Sequence, residues 1–420
     1  MLIYVPFIYF TTWLIIHLMN PSHRFGAGAM ALLWVDMSAF FSILLDYRNL
    51  YDTFGCNPYA ISWIGIILYC VCWTIVLYPL LKLDQKDISI TPVQTKSRFF
   101  TILCYFFIAC MLIHLSAIDI NEIIAGFSRD LSDSYSAAVE RETYAGGAKQ
   151  YLLWIPNIIS SFGPMYLLFW FISITLCKQN GFIRIGMLLS STLAMVSGFA
   201  NGGRAQLIWW VITFLTYFFL FKPIMSPYQR KKIFITMLTL GGIAIVGLLL
   251  ITLSRFDEGG SYALDSLISY AGQQINNFCT IIPHCKSHIV YSDHLFPLYN
   301  YVVKHQPFRL QDYHAILENV YPYLTNVFFT FFGDLLHDIG YIGLFVFMLC
   351  YTLLCKILLR YKEDISIYHL FIVLILLRLP IEGLFSWPFT IYNDSLFILF
   401  SGCLYICFRY EFTYGSKKIF

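Results

Sequence analysis

The chain has 420 residues, of which 59% are hydrophobic, 19% aromatic and only 12% charged, with a formal net charge of +3. So little polar surface cannot cover a soluble globule, and the composition excludes an ordinary water-soluble domain. The basic residues sit in short clusters between apolar runs, so a continuous nucleic-acid-binding face is excluded as well and no nucleic-acid partner is expected.

In chain order, about eleven apolar runs read as helices: 2–19, 28–45, 59–81, 99–118, 152–177, 185–200, 205–221, 233–254, 338–358, 367–386 and 394–409. The expectation is an all-α, polytopic transmembrane bundle forming a single integral membrane domain over 1–420. The first run has no basic leader and no small-residue cleavage site, and reads as a retained helix.

The short connectors 82–98, 178–184, 222–232 and 356–362 and the tail with Arg409, Lys417 and Lys418 are densely basic, which places them in the cytoplasm. The opposite side then receives loop 119–150, the turn at 201–204, the turn at 386–394 and one large polar loop over 255–337, expected to contain short helices. Parity puts the C-terminus inside and the N-terminus outside.

The large loop holds six of the ten histidines, counting His337, with Asp257, Glu258, Asp265, Asp293, Asp312 and Glu318. His284, His288 and His294 have one i, i+4 pair at ligand spacing but no acidic companion, so no metal is expected. Cys279 and Cys285 share this loop, and a bond between them is left open. Most of the other cysteines lie in apolar runs as small buried hydrophobes.

Three groups carry candidate chemistry. At the turn Asn201-Gly-Gly-Arg204, Gly202 and Gly203 allow close backbone approach, the helix that follows offers unpaired N–H groups, and Arg204 adds a forked cation. That combination suits a phosphate or diphosphate, with Arg255 and Arg309 as further cations. His337 lies between Asp334 and Asp338, and a histidine flanked by carboxylates suits a general base acting on a hydroxyl. Inside the membrane, Arg378 and Glu382 stand four apart and read as an ion pair or as the lining of a polar cavity, while Asp36 is a mid-span acid and His114 sits near a span's end.

Two stretches, Asn201-Gly-Gly-Arg-Ala-Gln-Leu207 at the opening of a span and Phe331-Phe-Gly-Asp-Leu-Leu-His-Asp-Ile-Gly-Tyr-Ile-Gly-Leu344 after the long loop, resemble the O-antigen, or oligosaccharide repeat-unit, polymerase family. The resemblance implies a multi-pass enzyme of the bacterial inner membrane with its site facing the periplasm. The implied reaction transfers a glycan from undecaprenyl pyrophosphate to the non-reducing end of another lipid-linked unit, without metal or cofactor. It also implies a chain-length regulator as a protein partner. Arg204 falls at the family's span-opening arginine, and His337 in the stretch where the related O-antigen ligases carry a histidine. The periplasmic motif of an arginine followed by glycine eleven positions on does not occur at Arg129, Arg141, Arg204, Arg255 or Arg309. The competing expectations are an O-antigen ligase and a polysaccharide flippase or other transporter. A metal-using glycosyltransferase and a membrane acyltransferase rank lower.

Overall fold

The computed structural model describes residues 2–54, 56–87, 97–117, 155–200, 205–255, 260–285, 295, 297–299, 302–303, 328–359, 365–389 and 392–414. Every regular element of three or more residues among them is helical. The long helices are α1 Tyr4–Met19, α2 Ala27–Tyr47, α3 Trp63–Leu83, α4 Arg98–Ala117, α5 Gly163–Thr175, α6 Gly181–Ala200, α7 Ala205–Phe221, α8 Pro227–Arg255, α9 Gly260–Ile281, α10 Thr330–Leu359, α11 His369–Ile381 and α12 Tyr392–Tyr414. The chain divides into two compact units, one of Met1–Asp87 with Ser261–Tyr405, the other of Ile88–Gly260 with Ile406–Phe420.

Among the described residues each apolar run expected from the sequence contains helix, though two of them, 152–177 and 367–386, are helical over only part of their length. By length and composition, five of the described helices, α2, α3, α4, α7 and α10, can cross a membrane, and α1, α5, α11 and the first part of α6 are shorter apolar helices. This is the architecture of a membrane protein. The second half of α10 shows why. Ile342, Phe345, Val346, Leu349, Leu353 and Ile357 recur at helical spacing and all stay exposed, Phe345 by 71%. An apolar stripe of this kind needs hydrocarbon rather than water beside it.

In the first unit α2 packs against α1, α3 and α11, and α3 also meets α10. Gly28 sets the approach of α2 to α3, because a Cβ there would sit 2.4 Å from the Leu80 carbonyl carbon. Asp84, just past the end of α3, accepts hydrogen bonds from Gly28 N at 2.9 Å and Ala29 N at 2.7 Å. It thereby satisfies two of the N–H groups that open α2, in the manner of a cap supplied from another helix.

Helix α9 lies on α2. Ser38 Oγ donates to Ala271 O at 3.0 Å and Ser42 Oγ to Gly272 O at 2.6 Å, while a Cβ on Gly272 would meet Phe41 O at 2.5 Å. The stretch 255–337, expected as an external loop with short helices, thus contributes a helix of 22 residues, much of it buried. Its spacing of Ile268, Ile275 and Phe278 is that of a packed helix, hidden in the sequence by the Ser, Gln and Asn residues between them.

In the second unit the helix ends are locally encoded. Ser97 Oγ accepts from Phe100 N at the start of α4, Asn180 Oδ1 accepts from Ile183 N at the start of α6, and Ser226 and Gln229 exchange bonds as a capping box at the start of α8. Phe100, Phe107, Tyr166, Phe169, Phe171, Phe214 and Phe221 form its interior, with Phe171 and Phe221 stacked at 5.4 Å. The run expected as one span over 152–177 is interrupted. Helical residues 155–160 end in a turn at Ser161, and α5 begins afresh at Gly163-Pro164, since proline favours the first turn of a new helix.

Candidate active site

The start of α10 is anchored to the turn that follows α11. Thr330, with φ of 69°, donates its N–H to Phe385 O at 3.2 Å, and Phe331 N donates to Gly383 O at 2.8 Å. Asp334, one turn further along and 1% exposed, accepts from Trp387 N. Pro380 near the end of α11 cannot donate to the helical ladder, and α11 stops at Ile381, leaving residues 382–385 as the turn that α10 uses.

His337 Nδ1 and Asp338 Oδ1 are 2.9 Å apart, with the imidazole 12% exposed and the carboxylate fully buried. Two residues later the helix breaks. Gly340 has φ of 66° and ψ of −175°, a backbone conformation open essentially to glycine alone. The pair therefore closes the first segment of α10, and the second segment, residues 341–359, spans about 28 Å at 1.5 Å per residue, enough for a bilayer's hydrocarbon core. Tyr341 donates its hydroxyl to Ile282 O at 2.7 Å, tying the restart of α10 to the end of α9.

With Nδ1 protonated and donating to Asp338, Nε2 is the basic nitrogen, the tautomer that a general base requires. Of the sequence-predicted triad, His337 and Asp338 are brought into direct contact. Asp334 instead holds the turn, a positioning role.

Arg378 and Glu382 form a fork. Arg378 Nε donates to Glu382 Oε1 at 2.8 Å and Nη2 to Glu382 Oε2, and Nη2 also reaches Asp394 Oδ1 at 3.0 Å. The guanidinium lies 5.2 Å from the Phe389 ring centroid and 4.8 Å from that of Phe397. Two carboxylates against one guanidinium leave the cluster with no surplus positive charge, so Arg378 is a structural cation rather than an anion receptor. Asp394 was missed from sequence because it lies 16 positions away on the next helix.

Arg204, Gly202, Gly203 and Arg309 lie outside the described residues, as do His288 and His294. Arg255 ends α8, but its side chain is also outside the described set. Cys279 and Cys285 are not joined by a disulfide: Cys279 is buried beside Gly65, and Cys285 Sγ donates to Ile281 O. In the loop between α2 and α3, burial pushes the Cys56 thiol up to about 12, which removes it as a nucleophile. Thr11 Oγ1 donates to the carboxylate of Asp36, the mid-span acid, lying 3.0 Å from each of its oxygens, and His114 pairs with Asn157.

Sequence reasoning also missed the carboxamides of α9, Gln273, Gln274, Asn276 and Asn277, all buried. Their i, i+3, i+4 spacing was the available signal. Comparison of the chain with protein families, with curated proteins and with solved structures finds no match.

Proposed function

We propose that the chain is an oligosaccharide repeat-unit polymerase of the bacterial inner membrane, acting at the periplasmic face on glycans carried by undecaprenyl pyrophosphate. The observation that carries the reading is the His337–Asp338 pair, an oriented imidazole at a glycine break in an apolar helix. A base placed there meets a lipid-linked substrate at the depth where its headgroup lies.

In the proposed reaction an acceptor sugar hydroxyl attacks the anomeric carbon of the donor glycan. The bond from that carbon to the diphosphate oxygen breaks, a glycosidic bond forms, and the hydroxyl proton passes to His337 Nε2. The lipid diphosphate departs with the bonding electrons, and its developing charge calls for fixed cations and amide dipoles. Arg204, with Gly202 and Gly203, supplies them in this reading, with Arg255 and Arg309 as further candidates.

The test is deletion of the gene in its host, followed by electrophoresis of the surface glycan. Polymerisation predicts that the ladder collapses to a single repeat, and that Arg204→Ala in the complementing copy reproduces the collapse at normal protein abundance. Complete loss of the glycan would assign the chain to ligation or flipping instead. An unchanged ladder would remove it from glycan assembly.

A further inference from the structure

The carboxyl of Asp36 sits inside α2, about 14 Å from the start of the helix and about 16 Å from its end at 1.5 Å per residue, and is 6% exposed. A charge at that depth is costly unless another charge answers it. The cations of the helices packed on α2 are committed elsewhere. On α1, His17 Nε2 lies 3.6 Å from Asp84 Oδ2, and on α3 Lys82 lies over the Tyr78 ring. Just past the end of α2, Arg48 pairs with Asp265 of α9. On α11, Arg378 is held by Glu382 and Asp394, and His369 Nδ1 accepts from Ser366 N. The other titratable side chains of α1 and α3, Tyr4, Tyr9, Tyr69, Cys70, Cys72 and Tyr78, ionise only by losing a proton and so offer no positive charge. Among the described residues no cation pairs with Asp36, and no group of three His, Cys, Asp or Glu side chains forms a cage for a metal ion.

Asp36 therefore meets one neutral partner. Thr11 Oγ1 of α1 lies 3.0 Å from Oδ1 and 3.0 Å from Oδ2. A hydroxyl has one hydrogen to give, so a bare carboxylate uses it once and leaves its second oxygen unanswered. The neutral acid uses both contacts: one oxygen accepts the threonine hydrogen, and the other donates its own hydrogen to Oγ1. A proton also needs no cavity beside the carboxyl.

We propose that Asp36 is an intramembrane proton-binding site, carrying its proton at neutral pH and closed by Thr11 on the facing helix. The bound proton joins α1 to α2 near the middle of the bilayer, and its loss leaves a bare carboxylate there. The native protein holds one more proton than a chain with Asp36 in water, so its stability falls as pH rises through the neutral range, until that proton is lost. The site is independent of the polymerase reading, since neither Asp36 nor Thr11 takes part in the proposed transfer.

The experiment uses the full-length protein in nanodiscs and infrared spectroscopy, in which a protonated carboxyl shows a carbonyl stretch that an ionised one lacks. At neutral pH, the spectrum of the parent minus that of Asp36→Asn should hold this band. The band should shift in heavy water, and Thr11→Val should move it to higher frequency by removing its hydrogen-bond partner. The Tm of the parent should also fall on going from mildly acidic to neutral pH, and Asp36→Asn, which imitates the neutral acid, should lose that part of the fall. A difference spectrum without the band would overturn the proposal, as would the same pH profile of Tm in parent and Asp36→Asn. If Asp36→Asn does not accumulate, Thr11→Val against the parent decides: a shifted band supports the site, and an unshifted spectrum overturns it.

Discussion

At Arg378 two carboxylates and two aromatic rings enclose one guanidinium whose side chain is 11% exposed. Removing the cation would strand Glu382 and Asp394 in an apolar setting. Arg378→Ala is therefore expected to destabilise the protein by about 3–5 kcal/mol, visible as a large drop in Tm in detergent. Lysine at this position would keep the charge but lose the two-pronged geometry, and should rescue the loss only in part. The i, i+4 spacing of Arg378 and Glu382 made their pairing legible from sequence, whereas Asp394 required the tertiary fold. His337 behaves differently, since its worth lies in which nitrogen carries the proton. Asp338→Asn replaces a carboxylate with a group that no longer enforces the Nδ1 proton, and glycan transfer should fall about 100-fold or more with little change in protein abundance. His337→Gln should fall as far, and the double variant no further, because the two act as one unit. Single-turnover assay of the three variants checks both statements.

The break in α10 is the feature on which the placement of His337 depends. Gly340→Ala would force a side chain into a backbone region that disfavours one, at a cost of about 1–3 kcal/mol, and relief of that strain would continue the helix through the break. The expected outcome is a modest fall in Tm with a much larger fall in activity, measured on the same preparation. The apolar run placed the helix start at 338, eight residues after its actual start at Thr330. The signal it lacked was long-range: Thr330 and Phe331 are held by Phe385 and Gly383, which are remote in sequence. Helix α9 failed for a related reason. Polar residues inside an apolar protein imitate a solvated loop, and only their bonds to Leu50, Asn57 and Phe328 reveal that they face inward. By contrast, the Ser226 capping box and the Gly163-Pro164 restart are local devices, yet the apolar run 152–177 was read straight through the latter because hydrophobicity continues across the break.

Across the whole molecule, composition alone established a membrane protein made of helices, because hydrophobic content is a bulk property that needs no register. Orientation rests on the basic connectors rather than on geometry. The proposed function is at core a chemical claim: the protein links sugar units while releasing a lipid diphosphate. The most direct measurement reconstitutes the purified full-length protein in liposomes with radiolabelled, undecaprenyl-pyrophosphate-linked single repeats and follows product length over time. The account predicts a ladder of two, three and more repeats, with one undecaprenyl pyrophosphate released per bond formed, abolished by His337→Gln and by Arg204→Ala. Movement of intact repeats across the bilayer without lengthening, or transfer only to an added lipid A-core acceptor, would contradict it.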